Sequence, residues 1–172
     1  GSPEFELVNR QAIDRVWAGN FANFDFLTEG SHQYIAYYDA NRQMSVAHRK
    51  GPRRPWVYYK VDSWLGWDSH NYIEMALDSE GHLHLTGNMH GDRIEYFRME
   101  YPHEVRSLRR VRVMADPESE DRVTYPRFLK SREGSLVFKY RIGGSGNGSD
   151  IYLLYDTESR TWSQFHNGPL ID

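Results

Sequence analysis

Four short stretches hold the residue types that carry out chemistry. Trp64 to Asn71 supplies Trp67, His70 and Asn71, and Gly87 to Gly91 supplies Asn88 and His90. Thr124 to Arg127 supplies Tyr125 and Arg127, and Tyr140 to Gly144 supplies Arg141. Imidazole and phenol groups move protons, and a guanidinium grips a carboxylate through two parallel hydrogen bonds. Each residue also has an ordinary reading. A histidine in a strand packs or faces water more often than it catalyses, and Tyr125 alone reads as a core aromatic with its hydroxyl capped. Their common position in a repeat, described below, is what sets them apart.

Other chemistries find little support. The chain has no cysteine, which removes thiol nucleophiles, disulfide scaffolds and Cys-zinc sites. His82 and His84 alternate on one strand face, but no third ligand follows at a telling interval, so both read as strand residues and no metal ligand set is assigned. The run Gly143 to Ser149 is glycine-rich, yet no Lys-Ser/Thr follows as a phosphate loop requires, and it reads as a hairpin tip. The three arginines, tyrosine and paired acids of a sialidase-type site do not assemble, and no carboxylate pair of the ordinary glycosidase kind stands out at strand ends. No cofactor is expected, and a structural metal stays open.

The elements that position these residues follow a period of about fifty. Glu-Gly turns end at Gly30, Gly81 and Gly134, with spacings of 51 and 53 residues. Glycine supplies the positive φ that tight hairpins need. Each turn has a strand upstream, at 24–27, 72–77 and 125–129, and a strand downstream, at 33–39, 82–88 and 135–141. Third strands are expected at 44–48, 94–98 and 151–155, and fourth strands at 56–61, 108–113 and 162–165. Four short antiparallel strands per unit is the period of a β-propeller blade, so the expected fold class is all-β with about three blades. The blades are placed at about 21–62, 68–115 and 122–166, with a doubtful helical turn at 10–17.

Composition agrees with a folded, water-facing chain. The 172 residues are 39% hydrophobic, 26% charged and 15% aromatic, and mean hydropathy is -0.76. That aromatic content is too high for a disordered tail, and no apolar run reaches the length of a membrane helix. The net charge of -3 argues against a nucleic-acid partner. The basic runs at 48–54 and 106–112 read as solvated turns and strand faces. Residues 1–5 read as the remnant of a cleaved tag, which leaves 6–172 as a single propeller-type, partial domain.

With those elements in place, four segments carry a resemblance. Gly66-Trp67-Asp68-Ser69-His70-Asn71, Gly87-Asn88-Met89-His90-Gly91, Thr124-Tyr125-Pro126-Arg127-Phe128, and Phe138-Lys139-Tyr140-Arg141 with Gly143-Gly144-Ser145-Gly146 occur in that order. Together they resemble the BNR-repeat family, which includes seven-bladed propeller polysaccharide lyases that cut ulvan. The resemblance spans about 24–165. It implies β-elimination on a uronate-containing polysaccharide, in a protein exported from the cell or held in the periplasm. It maps the catalytic His onto His70, a second active-site His onto His90, the proton-moving Tyr onto Tyr125 and the carboxylate-neutralising Arg onto Arg141. Asn71, Asn88, Arg127 and Trp67 would bind substrate. The alternative is a carbohydrate-binding propeller without catalysis, with Trp64 and Trp67 stacked on sugar faces. Three blades do not close a ring, so association into a homo-oligomer is expected, a two-fold dimer first. The expected partner is an acidic polysaccharide, with neither nucleic acid nor membrane.

Overall fold

A computed structural model describes residues 24–64, 73–87, 93–143 and 148–166. These residues form three four-stranded antiparallel sheets, each a simple meander in chain order. The first sheet holds β1 (Phe24–Glu29), β2 (His32–Tyr38), β3 (Gln43–Lys50) and β4 (Val57–Trp64). The second holds β5 (Glu74–Leu77), β6 (Leu83–Thr86), β7 (Tyr96–Met99) and β8 (Leu108–Arg110). The third holds β9 (Thr124–Lys130), β10 (Leu136–Ile142), β11 (Ser149–Asp156) and β12 (Thr161–Phe165). Every expected strand is present, and the all-β class with three propeller-like blades holds. The doubtful turn at 10–17 lies outside the described residues.

The Glu-Gly turns do the work assigned to them. Gly30, Gly81 and Gly134 have φ of 57, 83 and 85°, each between the first and second strands of its blade. Side chains support two of these turns. Asp78 Oδ1 accepts from the N–H groups of Glu80 and His82, and Ser131 Oγ accepts from the N–H of Ser135.

The strand sequences fit their places. In β2 the run Tyr34 to Tyr38 is buried on both faces, because the sheet is covered on both sides. Tyr34, Ala36 and Tyr38 meet Met75, Leu77, Leu85 and Phe97 of the second blade, while Ile35 and Tyr37 pack with Ala47 and Trp56 on the other face. A second core joins Tyr96 and Ala76 of the middle blade to Phe138, Tyr140, Leu153 and Trp162 of the third. The two larger clusters therefore lie between blades, as stacked sheets require, and the smaller one covers the other face of the first blade.

The first strands run side by side, with β1 against β5 and β5 against β9. Two polar ties hold them. Asp25 Oδ2 accepts from the N–H of Met75 at 3.0 Å, and Lys130 Nζ donates to the carbonyl of Leu77 at 2.9 Å. The segment between the second and third blades is knotted around Glu120, whose fully buried carboxylate accepts from the N–H groups of Met114, Ala115 and Asp116.

Candidate active site

The three described members of the expected site sit at one end of the third blade. β9 pairs with β10 so that Thr124 faces Arg141 and Arg127 faces Lys139. Tyr125 and Pro126 together therefore oppose Tyr140 alone, which is a β-bulge. Pro126 has no N–H to give the ladder, and a bulge on an edge strand is where proline is tolerated. Tyr125 takes the left-handed conformation, with φ of 54°, and remains 53% exposed. A bulky non-glycine residue rarely adopts that backbone, and such departures concentrate where a side chain is being aimed. The ordinary reading of Tyr125 as a core aromatic is thus overturned: the bulge turns its ring to solvent.

Arg141 stands at the end of β10, one ladder rung from Tyr125. Its Nη2 donates to the carbonyl of Gly148 at 3.3 Å, and its Nη1 lies 3.8 Å from Asp150 Oδ1. These contacts hold the guanidinium at the start of β11. Arg127, on the same strand as Tyr125, is exposed.

Sequence reasoning missed the acids beside them. Asp25 near the start of β1 and Glu74 at the start of β5 lie at the same end of the first strands as Tyr125. Burial pushes the Glu74 carboxyl up to about 7; the nearby Asp25 charge adds to this and Arg127 opposes it. Burial also raises Asp25, against the hydrogen bonds it accepts from Met75 and Phe26. Glu74 thus keeps its proton below about pH 7. A signal for it existed in the sequence. Counting back from the turn glycines, 81 − 74 and 134 − 127 both give seven, so Glu74 and Arg127 occupy equivalent repeat positions.

Trp64 ends β4 at this same end of the first sheet and is 49% exposed, suited to stacking on a sugar ring. Trp67, His70, Asn71, Asn88 and His90 lie outside the described residues. The preceding Gly87 is described: a Cβ there would come within 2.5 Å of Met44 Cε and 3.1 Å of the Tyr38 hydroxyl.

His82 and His84 are the other histidines singled out by sequence. Both are buried at the junction of the second and third blades. His84 Nε2 lies 2.8 Å from Asp78 Oδ2 and its Nδ1 2.7 Å from the Tyr96 hydroxyl, whose oxygen accepts from Trp162 Nε1. Tyr155 and Trp162 pack edge-on against its ring. This is a satisfied core network.

The match to known proteins follows the same elements. Residues 32–172 match the BNR repeat-containing family. The chain belongs to that family. Among its relatives, the long-isoform ulvan lyase of Glaciecola sp. (strain KUL10) is 40% identical over 52 residues, which is 30% of this chain and 5% of that protein. The long-isoform ulvan lyase of Alteromonas sp. (strain LOR) is 41% identical over 44 residues, 26% of this chain and 4% of that protein. Of solved structures, polysaccharide lyase Uly1 superposes with a TM-score of 0.73 at 17% identity, covering 89% of this chain and 42% of that one. A PL25 ulvan lyase bound to -[GlcA(1-4)Rha3S]- superposes with a TM-score of 0.64 at 14% identity, covering 90% and 38%. This BNR-repeat chain therefore spans less than half of those two structures and about one twentieth of the curated relatives it matches.

Proposed function

We propose that this BNR-repeat chain carries part of the active site of a polysaccharide lyase that cleaves a uronate-containing, ulvan-like polysaccharide outside the cell by β-elimination. The observation that carries the reading is the strained, exposed Tyr125 on its bulge, one rung from Arg141. In such a reaction the C5 proton leaves to a base, the C4–O bond breaks and its oxygen takes a proton, and a C4–C5 double bond forms. The C5 proton becomes acidic enough only if the adjacent carboxylate is neutralised as charge builds on it. Arg141 supplies that contact, and it strengthens as the enolate-like charge develops. Tyr125 and His70 share the two proton transfers, and His90 serves as a second active-site histidine. Asn71, Asn88, Arg127 and Trp67 hold the sugar chain.

Glu74 has a defined part in this reading. An ionised carboxylate in the cleft would repel the uronate. Its raised pKa of about 7 keeps it largely neutral below that pH, when it can donate a hydrogen bond. Three blades do not close a propeller ring, so this reading calls for further blades, from more of the same polypeptide or from a second copy.

Incubation with ulvan and other uronate polysaccharides, read by the ultraviolet absorbance of the unsaturated product, tests the proposal. Tyr125→Phe should retain binding and lose turnover. Binding of the polysaccharide by the unsubstituted protein with no unsaturated product would instead support the non-catalytic carbohydrate-binding module, for which the exposed Trp64 is the favouring observation.

A further inference from the structure

We propose that His32, His48 and His103 form a binding site for one first-row divalent metal ion of the zinc type, tying the first blade to the second. Their spacing in sequence, 16 and 55 residues, hides them from any motif search. The fold brings them together. His32 opens β2, and His48 lies on the neighbouring β3, opposite Tyr34 and on the same sheet face. His103 comes from the turn between β7 and β8 of the second blade. One ring nitrogen from each of the three lies within 4.8 Å of the others, and among the described residues theirs is the group with metal-ligand convergence.

His32 Nδ1 and His48 Nε2 are 2.9 Å apart, and the His32 and His103 rings stack at 3.5 Å between centroids. Zinc–imidazole bonds of about 2.0–2.1 Å place ligand nitrogens roughly 3.3 Å apart in a tetrahedron, close to the spacing of the His32 and His48 nitrogens, and the stacked His103 ring would turn to aim its nitrogen at the ion. Imidazole nitrogen is the donor that zinc and its neighbours in the series prefer when no thiolate is offered.

The three imidazoles are held in their neutral form by their surroundings. Burial, with the adjacent His32 and His103, pushes His48 down to about 4, and burial lowers His32 and His103 as well. Ligand nitrogens that are neutral at pH 7 present lone pairs without proton competition. The charged groups in reach oppose one another, Lys50 disfavouring a cation and Glu29 favouring it.

Two further features look built. His103 holds a left-handed backbone, with φ of 53°, and its N–H donates to the carbonyl of Gly81. Gly81 leaves the room its ring needs, since a Cβ there would lie 2.7 Å from His103 Nε2. The Tyr34 hydroxyl, 2.7 Å from His103 Nδ1, orients that ring from the first blade, as outer partners of metal-binding histidines do. His48 is buried while His32 and His103 are half-buried, so an ion can enter from solvent. The cluster lies beside the Glu-Gly turns, at the opposite end of the strands from Tyr125 and Glu74, so its test does not depend on catalysis.

The protein would be stripped with chelator, then titrated with zinc chloride by calorimetry and followed by thermal melting. One equivalent should bind per chain, and saturation should raise the melting midpoint by at least about 5 °C. His103→Asn, which suits the left-handed backbone, and His32→Gln should each weaken binding by roughly 100-fold, and zinc should no longer raise the melting midpoint of either variant above that variant's own metal-free value. Cobalt substitution should give the visible bands of a tetrahedral site in the unsubstituted protein and not in the variants. Zinc that binds equally well to both variants, or binds without a shift in melting, overturns the proposal.

Discussion

At the junction of the second and third blades, His84 shares hydrogen bonds with Asp78 and Tyr96, inside a box closed by Tyr155 and Trp162. At the rim of the third blade, Tyr125 stands exposed on a left-handed bulge beside Arg141, whose Nη1 lies 3.8 Å from Asp150 Oδ1. Both regions draw on residues that can move protons or hold charge. In the first, each polar atom is satisfied and ordinary backbone carries it, so the chemistry of the imidazole is spent on holding the fold. In the second, backbone strain and exposure turn the phenol of Tyr125 to solvent beside the guanidinium. Burial and satisfaction, rather than residue type, separate a structural histidine from a group that can act on a substrate.

The largest break in that comparison should come from His84→Ala. It leaves Asp78 and the Tyr96 hydroxyl without their buried partner and opens a void among aromatic rings, a loss of about 3 kcal/mol or more in urea denaturation. An unchanged denaturation midpoint would show that the network is not structural. At the rim, Tyr125→Phe and Arg141→Ala should instead leave that midpoint within about 0.5 kcal/mol of the parent. If the protein is assayed on its polysaccharide, turnover by either should fall by roughly 100-fold or more. A variant that loses turnover and stability together would place Tyr125 in the core after all.

Glu74 sharpens the contrast through pH. Its folded pKa of about 7 stands above the ordinary 4.5, so the folded state keeps a proton that the unfolded chain releases. Stability from this residue therefore declines as pH rises from about 4.5 to 7 and stays lost above that range. Glu74→Gln should flatten this part of the stability–pH curve, and binding of an acidic polysaccharide at pH 8 should tighten. A stability change of the opposite sign is expected from Tyr125→Gly. Glycine relieves the left-handed backbone, so melting should rise by an amount equivalent to about 1 kcal/mol at most, while turnover is lost with the phenol. A fall in stability would mean that the ring contributes packing that its exposure does not suggest.

The local signals were legible because they act within a few residues. Glycine at Gly30, Gly81 and Gly134 set hairpins by its own conformational freedom, and alternating aromatic and β-branched runs on either side set the strands. Tyr125, Arg127 and Arg141 were found from short segments that travel with one pair of strands, so reading them needed no knowledge of how blades stack. Their exposure was not legible, since the bulge arises from a two-against-one register between β9 and β10.

The amino-acid order by itself determined the blade period, the turn positions, the all-β class and the candidate residues of the third blade. Only the tertiary structure decided which charges and imidazoles meet. Asp25 and Glu74 lie 49 residues apart and face each other because β1 and β5 are neighbours. His32, His48 and His103 converge because a strand pair of one blade abuts a turn of the next. Turn and strand preferences are short-range backbone properties. The pairing of charges and the raised pKa of Glu74 depend on desolvation between sheets, which exists only once the blades have stacked.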